Sequence, residues 1–531
     1  MPRSWTTAPA LLAQVTAVHV AAAAARASVV GGWSLAFDEA FSWRMSRYPV
    51  AELVARTARD VHPPAYYLLL KGWTHWLGDS PEAMRLMSVG LAALAGLALH
   101  GLIREVTAPG RGRDWACLLA AILVATSPLI NRHAVEARMY PMAAALAVLA
   151  GWALLAALRR GGRSLLWWAV YAGASALGCY VHNYGLFLMV AQTTFLAAWC
   201  LARSGLSPAK LWAMPEARLG LLATGAVALA YWPWLPVAMA QSRQVEADYV
   251  TGPLGLGLFA NEIGHLFTGL YWLAAPPMPE VWCAGLLILL TLLAVGRGEA
   301  DRFLGLMIVG PIGLGVLASL VVGRNVFFSR YCYPAAFAVA GGLAVLIARI
   351  PDLMTRVAAS ILAVTTTASL TASLYDRIGP ERHPGLLGAT RELARRWRPG
   401  EAVFVFGPEI YLALQLDSRR LGFAPPRMIR TTRRPLEHYR GGPVIDPAEI
   451  TTPEEAAALA GSSAWVVEAR SAWRYVTPLP PGWRRTDERR FPEVRIAGRD
   501  MVFLDRIDCG TPTTAVAVNQ DLLTLKRRRR P

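Results

Sequence analysis

Met139-Tyr-Pro-Met-Ala-Ala-Ala-Leu-Ala-Val-Leu-Ala-Gly-Trp-Ala-Leu-Leu-Ala-Ala-Leu158 runs without a charge, between Glu136 and Arg138 on one side and Arg159-Arg160 on the other. A bilayer crossing needs about 20 predominantly apolar residues, so this stretch is read as one transmembrane helix. The same reading applied outward finds about eleven crossings: 9–30, 84–103, 115–130, 139–158, 165–181, 185–202, 219–239, 280–296, 303–322, 333–349 and 356–374. Composition agrees. Of 531 residues, 55% are hydrophobic and 17% charged, against roughly 25% charged in soluble domains. Nineteen tryptophans suit a chain that lines a great deal of membrane–water interface. Disorder, a collagenous repeat and a disulfide scaffold are excluded. The six cysteines, Cys117, Cys179, Cys200, Cys283, Cys332 and Cys509, form no CxxC or metal-like spacing. The stretch 9–30 is too long an apolar run for a cleavable signal peptide.

The net charge of +17 is spread through loops between apolar runs, which reads as topology rather than nucleic-acid binding. With the N-terminus cytoplasmic, the inner segments hold 14 cations in about 53 residues, against 10 in about 107 for the outer stretches. This bias places the first loop, 37–82, and the large loop, 240–279, outside. The segment after 374 lies outside with them.

Beyond 374 the apolar runs shorten to strand length, as in Ala402-Val-Phe-Val-Phe406 and Ala464-Trp-Val-Val-Glu468. Amphipathic stretches near 385–397 and 408–416 alternate with them, and a closing strand pair is expected around 493–507. The expected architecture is thus a polytopic α-helical membrane domain, 1–374, followed by a soluble extracytoplasmic α/β domain, 375–508. Residues 509–531 form a basic tail ending in Lys526-Arg-Arg-Arg-Arg530, read as a flexible, solvated end.

The polar residues of the membrane half collect at one face. Asp38-Glu39, His62, Tyr66, Tyr67, Arg132-His133, Glu136, Arg138, His182-Asn-Tyr184, Glu262, His265, Arg330 and Tyr331 all fall at outer ends of spans or in outer loops. A transporter would place such groups near the midplane on broken helices. An enzyme working on a lipid-tailed substrate would place them as found here.

Phe37-Asp-Glu39 after the first span and Asp60-Val-His-Pro-Pro-Ala-Tyr-Tyr67 in the first loop resemble the GT-C superfamily of integral-membrane glycosyltransferases. So do Glu136-Ala-Arg-Met-Tyr140, His182-Asn-Tyr-Gly185 and Ser329-Arg-Tyr331, each opening a span. The nearest branch is that of protein mannosyltransferases and aminoarabinose transferases, and the likeness covers about residues 30–350. It implies a polyprenyl-phosphate-linked sugar as donor, a hydroxyl acceptor on protein, lipid or polysaccharide, and transfer with inversion. The site then lies at the extracytoplasmic face of a bacterial inner or plasma membrane, and no nucleic acid is involved.

By that resemblance Asp38 is the base that takes the acceptor proton, whereas taken alone it reads more readily as a helix cap. Glu39 is a supporting or acceptor-orienting acid. Arg138 and Arg330 suit the leaving phosphate because a guanidinium binds phosphate oxygens in bidentate fashion, and Lys71 is a third cation for it. His62, His182 and Tyr184 are expected at the donor phosphate or sugar, and Glu136 at the acceptor. The resemblance leaves a divalent metal open, with Asp38, His62, Glu262 and His265 as candidate ligands. Two other functions compete. An oligosaccharide ligase or polymerase would place its arginines and a histidine in a late outer loop, and a lipid-linked-sugar flippase would show internal repeats.

Overall fold

The computed structural model describes residues 8–160, 164–248, 251–270, 274–296, 298–471, 479–496 and 499–510. Every apolar segment expected to cross the membrane is helical. Among the described residues, eight helices are long and apolar enough to do so: Pro9–Ala27, Pro81–Val106, Tyr140–Arg159, Tyr184–Ser204, Pro215–Val245, Glu299–Val322, Ser329–Ala348 and Leu353–Ile378. Leu165–Val181 and Pro279–Val295 are shorter apolar helices.

The remaining segment, read from sequence as 115–130, is broken. Arg111–Thr126 and Pro128–Ala134 meet at 59°, because a proline has no N–H to continue the helical ladder. The break leaves carbonyls without helical partners, and Asn131 supplies them. Its side-chain amide donates to the carbonyls of Ala125 and Ser127, both at 2.8 Å. Arg26, on the first span, donates from Nε to Asn131 Oδ1 at 3.0 Å and from Nη2 to the Val124 carbonyl at 3.1 Å. An arginine that is only 1% exposed on an alanine-rich span is thereby hydrogen-bonded.

Two compact units divide the chain. The first holds residues 1–383 together with Leu436–Ile445, and the second holds 384–435 and 446–531. The boundary therefore falls some residues after the expected 374, because the last long helix continues to Ile378. The decapeptide Leu436–Ile445, expected inside the α/β domain, belongs to the helical unit instead.

The second unit has strands β1 (Ala402–Val405), β2 (Arg427–Ile429), β3 (Ile450–Thr451), β4 (Ser463–Arg470), β5 (Arg484–Pro492) and β6 (Met501–Asp508). They form one sheet in the order β3-β2-β1-β4-β6-β5. The first four are mutually parallel, while β6 runs antiparallel to β4 and to β5. The helices Gly385–Arg396 and Pro408–Leu421 are those expected near 385–397 and 408–416. Phe404, Val466, Trp483 and Ile507 meet in a buried cluster. The closing pair is β5 with β6, so its first strand lies earlier than the expected 493. Arg484-Arg-Thr-Asp-Glu-Arg-Arg490 is a charged edge strand, and charge on an edge discourages pairing with other chains. The expected tail from 511 onward lies outside the described residues.

Candidate active site

Asp38 and Glu39 sit in the first turn of the helix Phe37–Arg47, where negative charge is favoured by the helix dipole. Their surroundings diverge at once. The Glu39 carboxylate is 1% exposed and accepts four N–H donors. Arg85 grips it with Nε to Oε1 at 2.8 Å and Nη2 to Oε2 at 2.7 Å. The backbone N–H of Ala36 donates to Oε2 at 2.9 Å, and that of Ala137 to Oε1 at 2.8 Å. Arg85 spends its remaining donors on the carbonyls of Val30, Trp33 and Ser34. This clasp ties the start of the Asp38 helix to the segment that carries Arg138.

The Asp38 side chain is 43% exposed, with Arg330 Nη1 3.2 Å from Oδ2. Its carbonyl accepts from Arg138 Nη1 at 3.0 Å and from the Ser42 hydroxyl at 2.9 Å. Arg138 also donates to Ser42 Oγ at 3.1 Å, and its Nη2 lies 3.4 Å from His62 Nε2. Burial alone would weaken the Arg138 charge, but Asp38, Tyr140 and Tyr67 outweigh it and hold its pKa above the ordinary value.

His62 and His182 face each other at 5.2 Å between ring centroids. Tyr331 lies 4.7 Å from His182 and 5.4 Å from Tyr184, and Tyr140 lies 6.1 Å from His182. Burial, then Arg138 and Arg330, push the His182 pKa down to about 3. Burial, then His182 and the same arginines, hold His62 well below its ordinary value. Both rings are therefore neutral at pH 7. His182 Nδ1 accepts from the Tyr184 N–H at 3.1 Å, which assigns its proton to Nε2. Facing Arg138, His62 Nε2 is an acceptor, so its proton is on Nδ1. Arg138 Nε, His62 Nδ1 and His182 Nε2 are then buried donors with no hydrogen-bond partner among the described residues. Three such donors in one cluster suit phosphate or sugar oxygens.

Other polar side chains fix the backbone beside these groups. Glu262 Oε2 accepts from the Ser329 N–H at 2.7 Å, next to Arg330. Burial raises the Glu262 pKa despite that bond. Asn183 Nδ2 donates to the Val61 carbonyl at 3.0 Å, next to His62. Asp60 is fully enclosed, and burial pushes its pKa up to about 7.

The structure thus brings together Asp38, Arg138, Arg330, His62, His182 and Tyr184, and puts Glu39 behind them. Three candidates stand differently. Glu136 is engaged by Arg132 Nε at 3.1 Å and His133 Nδ1 at 2.8 Å. Lys71 donates to the Ser46 carbonyl at 3.3 Å. Asp38, His62, Glu262 and His265 do not form a ligand set, and among the described residues no three His, Cys, Asp or Glu side chains converge on a metal position. Burial lowers the His265 pKa to about 4. Arg85 and Ser42 were not singled out from sequence, and Asp60 and Asn183 entered only as members of motifs, with no role assigned. Arg85 could have been, since it is an arginine at the very start of an apolar run.

No protein-family model and no curated protein matches the chain by sequence. Solved structures do match. ArnT from Cupriavidus metallidurans in the apo state aligns at TM-score 0.56 and 14% identity, over 92% of this chain and 97% of ArnT. The same protein bound to undecaprenyl phosphate aligns at 0.52 and 13%, over 94% and 98%. The apo oligosaccharyltransferase of Archaeoglobus fulgidus aligns at 0.47 and 13%, over 88% and 70%. At these identities the likeness to ArnT is one of fold.

Proposed function

We propose that this chain, which has the fold of the GT-C glycosyltransferase superfamily, transfers a sugar from a polyprenyl-phosphate donor to a hydroxyl acceptor with inversion at the anomeric carbon. The observation that carries the reading is the exposed Asp38 carboxylate, 3.2 Å from Arg330, beside a buried wall of Arg138, His62 and His182 donors. The undecaprenyl phosphate held by ArnT is a lipid phosphate of the kind this wall suits.

The acceptor oxygen attacks the anomeric carbon while its proton passes to Asp38. The bond from that carbon to the phosphate oxygen breaks, and its electron pair stays on the departing polyprenyl phosphate. Arg330 bridges the two halves of the step. Paired with Asp38 at rest, it turns to the phosphate when donor binds, which releases the carboxylate to act as base. Arg138 meets the developing phosphate charge from the buried side, and the neutral histidines donate to phosphate or sugar oxygens without adding charge. Glu39 acts through Arg85 and Ala137 as a positioning residue.

The site faces outward in a topology of eleven crossings with the N-terminus cytoplasmic. Topology reporters fused after residues 205 and 300 then read cytoplasm, and one at 510 reads the outside. The decisive experiment incubates purified protein and a labelled polyprenyl-phosphate sugar with membranes from cells lacking the gene. Transfer of label with release of polyprenyl phosphate is expected. Donor left intact under all conditions would sink the reading.

A further inference from the structure

His133 closes the helix Pro128–Ala134, and Tyr140 opens the helix Tyr140–Arg159. The residues between them are held from outside, with the Ala137 N–H on Glu39 and the Arg138 guanidinium on the Asp38 carbonyl and the Ser42 hydroxyl. The mechanism above uses neither ring. Tyr140 nevertheless stands among the groups of the site. Its ring centroid lies 6.1 Å from that of His182 and 6.2 Å from that of Tyr331, and the Arg138 guanidinium is 6.0 Å from it. It also meets the His133 ring at 5.1 Å. Tyr140 is 3% exposed, and its hydroxyl is buried with no hydrogen-bond partner among the described residues.

His133 is 2% exposed and fixed in orientation. Its Nδ1 is 2.8 Å from Glu136 Oε2, and its ring lies edge-on to Tyr333 at 5.9 Å. Tyr333 is itself tied down, with its hydroxyl on the Ile130 carbonyl at 3.2 Å. A carboxylate only accepts, so the His133 proton is on Nδ1. A second proton on Nε2 would bury a charged donor with nothing to receive it, while the Glu136 carboxylate already serves Arg132 Nε at 3.1 Å. Nε2 is therefore a bare lone pair, and it too is buried with no partner among the described residues. The unpartnered atoms of Arg138, His62 and His182 are donors. His133 Nε2 is an acceptor.

These two kinds of atom call for different parts of a ligand. The phosphate of a polyprenyl-phosphate sugar is a diester that carries no proton at pH 7, so its oxygens only accept hydrogen bonds. It satisfies the donors and would leave His133 Nε2 bare, at the full cost of desolvating it. A sugar hydroxyl can donate as well as accept. We infer that His133 and Tyr140 form the sugar subsite of the donor, where sugar hydroxyls donate to His133 Nε2 and bond the Tyr140 hydroxyl while the phosphate lies at Arg138, His62 and His182. This rests on the glycosyl-transfer reading above and deepens it. The transferred sugar carries a free hydroxyl at this place, and the two residues determine specificity for the sugar.

The test uses the full chain with the labelled polyprenyl-phosphate sugar that the wild type turns over, its monodeoxy analogues, and undecaprenyl phosphate as a competitor without sugar. Tyr140→Phe keeps the ring and removes only the hydroxyl. His133→Asn keeps an N–H for Glu136 near the place of Nδ1 and removes Nε2. Each is expected to raise the donor KM by roughly three- to tenfold, while the inhibition constant of undecaprenyl phosphate stays within about twofold. One monodeoxy analogue should serve the wild type and Tyr140→Phe equally well, because the hydroxyl that meets Tyr140 is the one it lacks. Without donor, Tyr140→Phe should melt no lower than the wild type, since the hydroxyl it loses is unbonded. Unchanged donor KM in both variants, or an inhibition constant that rises in step with KM, overturns the inference while transfer by the wild type keeps the function. No transfer by the wild type overturns both. If His133→Asn does not fold, as judged by thermal unfolding, Tyr140→Phe and the analogue series carry the test.

Discussion

Asp38 and Glu39 are consecutive in sequence and on one helical turn, yet they belong to regions built on opposite rules. The clasp around Glu39 is closed, with every carboxylate lone pair directed at an N–H and both partners removed from solvent. The mouth around Asp38 is open, with a half-exposed carboxylate paired to Arg330 and buried donors that have no partner among the described residues. A saturated carboxylate cannot take a proton without breaking what holds it. A half-exposed one can. A buried, fully bonded charge holds backbone in place, and on the proposed mechanism the proton goes to the half-exposed one.

The largest effect that would break this comparison is on turnover. Asp38→Asn should lower the transfer rate by ~10²–10⁴-fold, the range for removal of a general base. Its thermal unfolding should match wild type, because a half-exposed ion pair contributes little to stability. Near-normal transfer by the asparagine variant would erase the distinction between the two carboxylates.

Next comes the clasp itself. Arg85→Ala leaves the Glu39 charge buried without its partner, and Glu39→Gln does the same to Arg85. Each should cost about 3–5 kcal/mol of stability, read as a fall in melting temperature in detergent. Activity per folded molecule of Glu39→Gln should remain close to wild type. If instead turnover collapses at an unchanged melting temperature, Glu39 belongs to the mouth, as the acceptor-orienting acid expected from the sequence.

How far such regions can be read from a chain depends on the range of the interaction. The crossings were legible because a long run without charges has one physical explanation. The break at Pro128 was missed because the flanking residues are as apolar as a continuous span. Strand β5 was hidden because its alternation is between charges, with no apolar face to recognise. In the site, Asp38, Arg138 and Arg330 could be named from their positions at span ends. What joins them could not. Glu39 and Arg85 are 46 residues apart, and Asp38 and Arg330 are 292 apart. Nothing in local sequence marks which of many interface arginines closes such a distance.

A moderate effect sharpens the picture of the mouth. Arg330→Ala should raise the donor KM by roughly 10–100-fold, from the ~1.5–3 kcal/mol of a hydrogen bond to a charged group. Arg330→Lys should recover only part of this, because an ammonium cannot bind two phosphate oxygens in one plane. Full rescue by lysine would mean that Arg330 supplies charge alone and that the bidentate contact lies with Arg138.

The smallest effect tests where the mouth ends. Lys71 was a candidate for the donor phosphate, but in the structure it donates to the Ser46 carbonyl at 3.3 Å. Ser46 lies in the last turn of the helix Phe37–Arg47, where carbonyls lack helical partners and the dipole favours a cation. The Lys71 charge is thus used at the end of the helix opposite to Asp38. Lys71→Ala should lower stability by about 0.3–1 kcal/mol. It should leave the donor KM within roughly twofold of wild type, as expected for a change away from the reacting groups. A tenfold rise in donor KM with unchanged melting would extend the phosphate site along the helix Ala65–Leu77. The boundary between holding and reacting charges would then have to be drawn past Lys71 rather than at Arg138 and Arg330.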